Sequence, residues 1–262
     1  MMQKIAFFPL LLCVLLFAAC ARQPAAPANP QQAAAAWQRY SALTQAYSQP
    51  VAARQQISLR FGKQGDTRRV TALLWGNTAK QLVRLDVNAG VGASIANIEE
   101  APEKFLFFAQ QENKAYFAHQ GQRPLLRIGM PIPLRIASVF ALLNGDYAAL
   151  FGTSYALTEL EKGNILYILS GGELGGALIL DEQGRPQQWR QDGSKGWQMS
   201  ISYAEDNLPY RIELSHPQGH SALMLVKNRE QLTSPFTEKQ MRLIIPQGTA
   251  LLPLEAFVNK NK

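Results

Sequence analysis

Residues 197–203 (WQMSISY) and 210–215 (YRIELS) alternate strictly between apolar and polar side chains. Successive side chains of a β-strand point to opposite faces of a sheet, so this period of two predicts strands with one apolar face. The same period predicts five further strands earlier in the chain, over residues 56–62, 68–75, 81–88, 104–110 and 114–119. An apolar sheet face needs a covering layer, which the remaining segments must supply.

The segment 31–49 has helical rather than strand periodicity. Its expected apolar face consists of Ala36, Tyr40, Leu43 and Tyr47. These positions recur at helical spacing, Trp37 flanks them, and Pro50 ends the segment. We therefore expect a helix that packs against the sheet.

A second helical region interrupts the strands in the middle of the chain. Residues 125–150 predict one or two short helices broken by a Met-Pro-Ile-Pro sequence, and the helix 134–143 is apolar almost all round, which predicts burial. The order is a helix, about five strands, a helical insertion and about six more strands. This order predicts one antiparallel sheet with helices against one face, an α+β architecture.

The first nineteen residues have the character of a secretory signal. Lys4 is their only charge, an apolar run covers residues 5–16, and Ala18 and Ala19 precede Cys20. The run is too short to cross a bilayer, which takes about 20 apolar residues. An ordinary signal peptide that happens to carry a cysteine is the alternative interpretation.

The sequence LLFAAC resembles a lipobox, the recognition site of lipoprotein signal peptidase. The resemblance implies cleavage before Cys20, lipidation of its sulfur, and attachment of the mature chain to a membrane. Phe17 departs from the pattern, because leucine is commonest there. Ala21 stands in place of the Asp that resembles an inner-membrane retention signal, which favours the outer membrane, facing the periplasm.

We therefore expect residues 1–19 to be a lipoprotein signal peptide and residues 20–35, rich in Pro, Ala and Gln, to be a lipidated tether. A single domain is expected over residues 36–262, with its helical insertion at about 122–150. Cys13 leaves with the signal peptide and Cys20 carries lipid, so the mature chain retains neither a free thiol nor a disulfide.

The charge of the chain suits a membrane partner better than a nucleic acid. Removing Lys4 from the formal net charge of +7 leaves +6. Such a balance suits anionic lipid headgroups or acidic partners. The lysines and arginines form no cluster dense enough for a nucleic-acid site, and export argues against one.

Residues able to carry chemistry are scattered. The three histidines are His119, His216 and His220. They lie at a strand end and around a turn, without a carboxylate or cysteine nearby to complete a zinc site. The glycine-rich residues 171–176 lack the lysine and helix of a phosphate loop, and a G-x-S-x-G sequence is absent. We interpret Glu99, Glu100, Glu159 and Glu161 as solvated loop and strand ends. The sequence predicts a binding protein without cofactor or metal, not an enzyme.

Three segments resemble the outer-membrane lipoprotein receptor LolB. Residues 68–93 look like its N-terminal sheet, 128–146 are similar to its "LP…L…LL.G" helical stretch, and 180–226 resemble its C-terminal half. The resemblance covers most of residues 56–226. The aromatic strand pair 104–118 and the extra segment 228–257 depart from the best-known members, which indicates a divergent branch of the LolA/LolB lipoprotein-carrier superfamily.

The resemblance implies an incomplete antiparallel β-barrel, covered by helices on its concave face, with an apolar cavity between sheet and helices. Lining residues expected from the alternation and the buried helix are Leu74, Val83, Leu85, Phe105, Phe107, Val139, Phe140, Met199, Ile201, Ile212 and Leu214. Ordinary core residues have the same period, so each of these residues suits either role. Val91 matches an apolar loop residue of the family that helps deliver lipid into the membrane; the alternative interpretation is a plain glycine turn with an incidental valine.

By the same resemblance, the chain binds the acyl chains of lipoproteins and helps to receive or insert them into the outer membrane. The expected partners are lipidated proteins or other amphiphiles, the membrane through the anchor, and a soluble periplasmic carrier that hands over cargo. The chain is expected to act as a monomer. The alternative is a non-enzymatic envelope-assembly lipoprotein that binds another amphiphile or a partner protein.

Overall fold

The computed structural model describes residues 29–47, 49, 51–90, 92–119, 123–193 and 195–260. The predicted lipidation site Cys20 and the predicted loop residue Val91 lie outside them. The strands are β1 (Ala52–Lys63), β2 (Asp66–Asn77), β3 (Leu82–Ala89), β4 (Ala93–Ala101), β5 (Lys104–Ala109), β6 (Lys114–Ala118), β7 (Tyr155–Glu161), β8 (Asn164–Leu169), β9 (Ala177–Leu180), β10 (Pro186–Arg190), β11 (Gln198–Tyr203), β12 (Pro209–Ser215), β13 (His220–Leu232) and β14 (Ala250–Pro253). The helices are α1 (Pro30–Ala46), α2 (Pro124–Arg127), α3 (Ile136–Leu143), α4 (Ala148–Phe151), α5 (Glu238–Met241) and α6 (Leu254–Lys260).

All fourteen strands belong to one sheet, in the order β14-β6-β5-β4-β3-β2-β1-β13-β12-β11-β10-β9-β8-β7. Neighbouring strands are antiparallel, except that β14 runs parallel to β6. The sheet is curved and does not close, because its two edge strands, β14 and β7, do not pair with each other in the described chain. The predicted α+β class and incomplete antiparallel barrel are confirmed.

Helix α1 begins earlier and buries a different face than the sequence predicts. Asn29 caps it through hydrogen bonds from the amides of Gln31 and Gln32. Residues 30–35 are therefore helical. The buried residues of the helix are Ala33, Trp37, Tyr40 and Thr44. The face is displaced because the Trp37 ring packs among the rings of Tyr40, Tyr155 and Tyr167.

The helical insertion lies on the concave face, as predicted. All eight residues of α3 are buried, and the helix packs against β2, β3, β4 and β12. An apolar helix with no polar side to face water is stable only inside such a core. The insertion therefore forms the layer that covers the apolar face of the sheet.

Strand β4 was missed by the sequence analysis, and its two glutamates were wrongly interpreted as solvated ends. Glu99 is 5% and Glu100 is 3% exposed. Their side chains point to opposite faces of the strand, and each finds partners there. The Glu99 carboxylate accepts hydrogen bonds from Lys104 Nζ at 2.8 Å and from the backbone amide of Leu243.

The C-terminal segment that departs from the family pattern crosses the outer face of the sheet. Two apolar clusters form beneath it, one around Phe236 and Met241 and one around Phe108 and Leu243. This explains the aromatic strand β5, which must bury both of its faces. Beyond this crossing, β14 extends the sheet at β6, and α6 follows.

Candidate functional site

An apolar cavity lies between the insertion and the concave face of the sheet. Its volume is about 20 Å³. All eleven residues that line it are apolar: Ile57, Leu59, Ala72, Leu74, Leu85, Leu125, Met130, Ile132, Ile136, Val139 and Met224. A space of this size holds about one water molecule. The insertion therefore packs tightly against the sheet.

The eleven residues predicted from the sequence are all buried in one continuous apolar cluster with the insertion. Only Leu74, Leu85 and Val139 line the apolar cavity itself. Val83 and Phe140 line a larger neighbouring cavity. The remaining six lie in the surrounding core: Phe105, Phe107, Met199, Ile201, Ile212 and Leu214.

The sequence analysis missed eight of the cavity-lining residues. The apolar alternation in the sequence could have identified three of them. Ile57 and Leu59 alternate along β1, and Ala72 lies two positions before Leu74. The others come from the insertion, where proline breaks the helical period, and from β13. Their contribution depends on where the insertion docks.

Glu100 links the insertion to the sheet through two hydrogen bonds. Its Oε1 accepts a hydrogen bond from Arg135 Nε at 2.7 Å, and its Oε2 accepts one from the Ile136 backbone amide at 2.7 Å. The second bond satisfies an amide in the first turn of α3 that has no partner within the helix. Burial raises the pKa of Glu100, against the opposing effect of the Arg135 guanidinium and the Ile136 amide.

The larger cavity, of about 580 Å³, lies against the other side of α3. The charged residues that line it are Arg123, Arg135, Asp146 and Glu173. The Ser138 hydroxyl donates a short hydrogen bond to the Glu173 carboxylate. Burial raises the pKa of Asp146, while a hydrogen bond from the Ala149 amide opposes the rise.

The glycine-rich residues 171–176 connect β8 to β9, as expected, but they are docked onto the insertion. The Leu174 amide donates to the Leu150 carbonyl oxygen at 2.8 Å. Gly172 has φ +87°, and a Cβ there would lie 2.4 Å from the Gly152 amide nitrogen. The close approach of these two backbone segments requires glycine. The connection therefore carries Glu173 to the mouth of the larger cavity.

The histidines do not assemble a chemical centre. The ring centroids of His216 and His220 are 6.3 Å apart, and His216 packs at 5.0 Å from the Trp197 ring. Within the described residues, no three His, Cys, Asp or Glu side chains come together in a way that suits a metal ion. None of the helices in the described part of the chain has the length and apolar character needed to cross a membrane.

Solved structures share this architecture at low sequence identity. A DUF1329 family protein from Desulfovibrio piger superposes with a TM-score of 0.51 at 9% identity, over 79% of this chain and 98% of that one. A LolA superfamily protein from Nitrosomonas europaea gives a TM-score of 0.49 at 12% identity, over 73% of this chain and 90% of that one. No family model and no curated protein sequence matches the chain. At these identities the superposition on the DUF1329 family protein shows a shared fold.

Proposed function

We propose that this chain is a lipid-anchored, non-enzymatic lipoprotein that binds the acyl chains of other lipoproteins and helps insert them into the outer membrane. The observation that carries the proposal is the apolar cavity under α3, because every residue that lines it is apolar. Exposure of an acyl chain to water costs about 0.8 kcal/mol per CH₂, so transfer requires a dry binding surface. The concave face supplies such a surface.

An acyl chain enters only if the insertion moves away from the sheet. The closed cavity of about 20 Å³ is far too small for one. The opened space would be bounded by α3 and by the inner residues of β1, β2 and β3. Its walls are already apolar. The contacts of the acyl chain with these walls would therefore replace the contacts that the insertion and the sheet now make with each other. We expect opening and acyl binding to be coupled.

Lipidation of Cys20 would hold this domain beside the membrane where the cargo is released. A soluble periplasmic carrier would hand the cargo over, and Val91 would enter the bilayer surface during delivery. Substitution Val91→Glu tests that step, because a charge opposes entry into lipid. Fractionation of lipoproteins between inner and outer membranes should show retention at the inner membrane. Normal delivery by the variant would remove Val91 from the mechanism.

A cavity-filling substitution tests acyl binding directly. We expect Val139→Trp to block binding of a fluorescent fatty acid to the full chain, because the indole takes the space into which the acyl chain must go. Leu157→Trp is the matched control, since Leu157 is 49% exposed on the edge strand β7. Equal binding by the wild type and both variants would contradict the proposed site.

Depletion of the protein tests the cellular role. We expect lipoproteins that normally reach the outer membrane to accumulate in the inner-membrane fraction or in the periplasm. Mass spectrometry of material bound to the purified protein identifies the ligand: an acylated protein supports the proposal, and a glycolipid alone contradicts it.

A further inference from the structure

Helix α3 separates two cavities of different chemistry. Ile136 and Val139 line the apolar cavity, whereas Ala137, Ser138 and Ala141 line the larger one. The larger cavity, at about 580 Å³, falls in the size range of roughly 300–1,000 Å³ that is typical of small-molecule sites. The two cavities therefore lie on either side of the same helix.

The cationic part of the larger cavity is held in place. Arg135 Nε donates to the buried Glu100 carboxylate at 2.7 Å, which fixes the plane of the guanidinium. Its Nη2 atom is buried and has no hydrogen-bond partner among the residues that the structure describes. The guanidinium therefore keeps donor capacity, and Arg123 adds a second cation to the lining. Guanidinium groups bind phosphate well, because their fork of donors matches its oxygens.

The anionic part is also held in place. The glycine-rich connection docks on α4 through the bonds of the Glu173 and Leu174 amides to the Ala149 and Leu150 carbonyl oxygens. The Glu173 side chain accepts a hydrogen bond from the buried Ser138 hydroxyl. Asp146 supplies a second carboxylate on the same lining. These two carboxylates provide acceptors for an ammonium group.

The balance of charges selects the class of ligand. The lining contains two guanidinium groups and two carboxylates, and one of the guanidinium groups, that of Arg135, is already paired with Glu100. A purely anionic group meets the carboxylates there, and a purely cationic group meets the guanidiniums, so each encounters like charge. A group with both signs has a partner for each.

We propose that this cavity binds the phosphoethanolamine group of an amphiphile, with the phosphate at Arg135 and Arg123 and the ammonium at Glu173 and Asp146. The inference rests on the proposed function, since it assigns the polar end of a ligand whose acyl chain occupies the apolar side of α3. It adds a headgroup preference that acyl binding alone does not require.

Native mass spectrometry of the full chain, released from detergent micelles, tests the preference. Lysophosphatidylethanolamine and lysophosphatidylglycerol with the same acyl chain are added in turn, and the fraction of protein with bound lipid is measured. We expect about tenfold tighter retention of the ethanolamine lipid, the size of effect that one charge-assisted hydrogen bond provides. Glu173→Gln should reduce that retention to the level of the glycerol lipid.

Glu159→Gln is the matched control, because Glu159 is an exposed carboxylate on β7 outside this cavity. It should leave both lipids bound as in the wild type. Arg123→Gln should weaken retention of both lipids, because both carry the phosphate. Circular dichroism checks that each variant is folded.

The outcomes separate this inference from the proposed function. If neither lysolipid binds to the wild type, acyl binding itself fails. If both lipids bind equally and Glu173→Gln does not change the bound fraction, the proposed headgroup site is contradicted and the proposed acyl site is not. Free phosphoethanolamine, added alone, distinguishes the source of the group: binding as tight as that of the lysolipid would overturn the assignment to an amphiphile.

Discussion

The Glu100 carboxylate on β4 binds Arg135 and the Ile136 amide at the start of α3, each at 2.7 Å. This bidentate contact joins the sheet to the element that closes the apolar cavity. It lies at the N-terminal end of α3, where it pairs a buried carboxylate with an amide that has no partner within the helix.

Substitution Glu100→Gln should loosen the insertion. The amide keeps one acceptor but places an NH₂ donor where the other oxygen accepts, opposite either Arg135 Nε or the Ile136 amide. We expect a loss of about 1–3 kcal/mol in the free energy of unfolding, because a buried donor is left without an acceptor. Urea denaturation measures it, and hydrogen exchange should show the amides of α3 opening more readily than those of β1 and β13.

The exposed pair of Arg211 with Glu213 provides the control for that experiment. Glu213→Gln should change the free energy of unfolding by less than about 0.5 kcal/mol, because water screens the pair. Equal effects of the two substitutions would show that the Glu100 contact does not hold the insertion.

The ionisation of Glu100 should make part of the stability depend on pH. Burial raises its pKa in the folded protein above the ordinary value of 4.5. The folded state thus holds the proton more tightly than the unfolded chain does, so the contribution of this group to stability is largest below 4.5. It falls as the pH rises from that value through the raised pKa. The difference in unfolding free energy between the wild type and Glu100→Gln should therefore increase towards acidic pH, as urea titrations at several pH values would reveal.

A buried hydroxyl of helix α1 links the helix to the backbone that follows α4. Tyr40 donates from its hydroxyl to the Gly152 carbonyl oxygen at 2.7 Å, and burial raises the pKa of Tyr40 far above its usual range, so it stays a donor. Tyr40→Phe should cost about 1–2 kcal/mol, because the carbonyl loses its partner in the interior. Thermal unfolding measures this loss. Tyr210→Phe is the control, since Tyr210 is 41% exposed, and its melting temperature should match that of the wild type.

Much of the fold follows from local patterns in the sequence. The period of two predicted five of the strands before the insertion, and the continuous apolar run predicted the burial of α3. Both succeed because the side-chain period follows directly from strand or helix geometry. All eleven predicted lining residues accordingly fall in the apolar cluster on the concave side.

The glutamates of β4 show where local patterns fail. Two adjacent carboxylates indicate a solvated end, yet Arg135 lies 35 residues from Glu100 and Leu243 lies 144 residues from Glu99 along the chain. Partners at such separations are not visible in a local window. The same limit applies to the cavity, because cavity and core residues share one period and only the docking of the insertion separates them.

The start of the C-terminal segment should be held to the outer face by Asn77. Its Nδ2 donates to the Phe236 carbonyl oxygen and its Oδ1 accepts from the Phe236 amide, both at 3.0 Å, and the residue is 3% exposed. Asn77→Ala leaves two buried backbone groups without partners, so we expect a loss of about 2–4 kcal/mol in unfolding free energy.

Asn77→Ala should also open one part of the C-terminal segment more readily than the rest. Arg84 still donates to the Met241 carbonyl oxygen, and Glu99 still accepts from Leu243, so the far end of the segment stays attached. Hydrogen exchange and limited proteolysis should therefore report opening between residues 233 and 240 before the sheet unfolds. Asn88→Ala, at a half-buried asparagine on β3, should stay within about 0.5 kcal/mol of the wild type. Uniform opening of the whole C-terminal segment in Asn77→Ala would mean that the Arg84 and Glu99 contacts contribute little, and that the segment is held at one point.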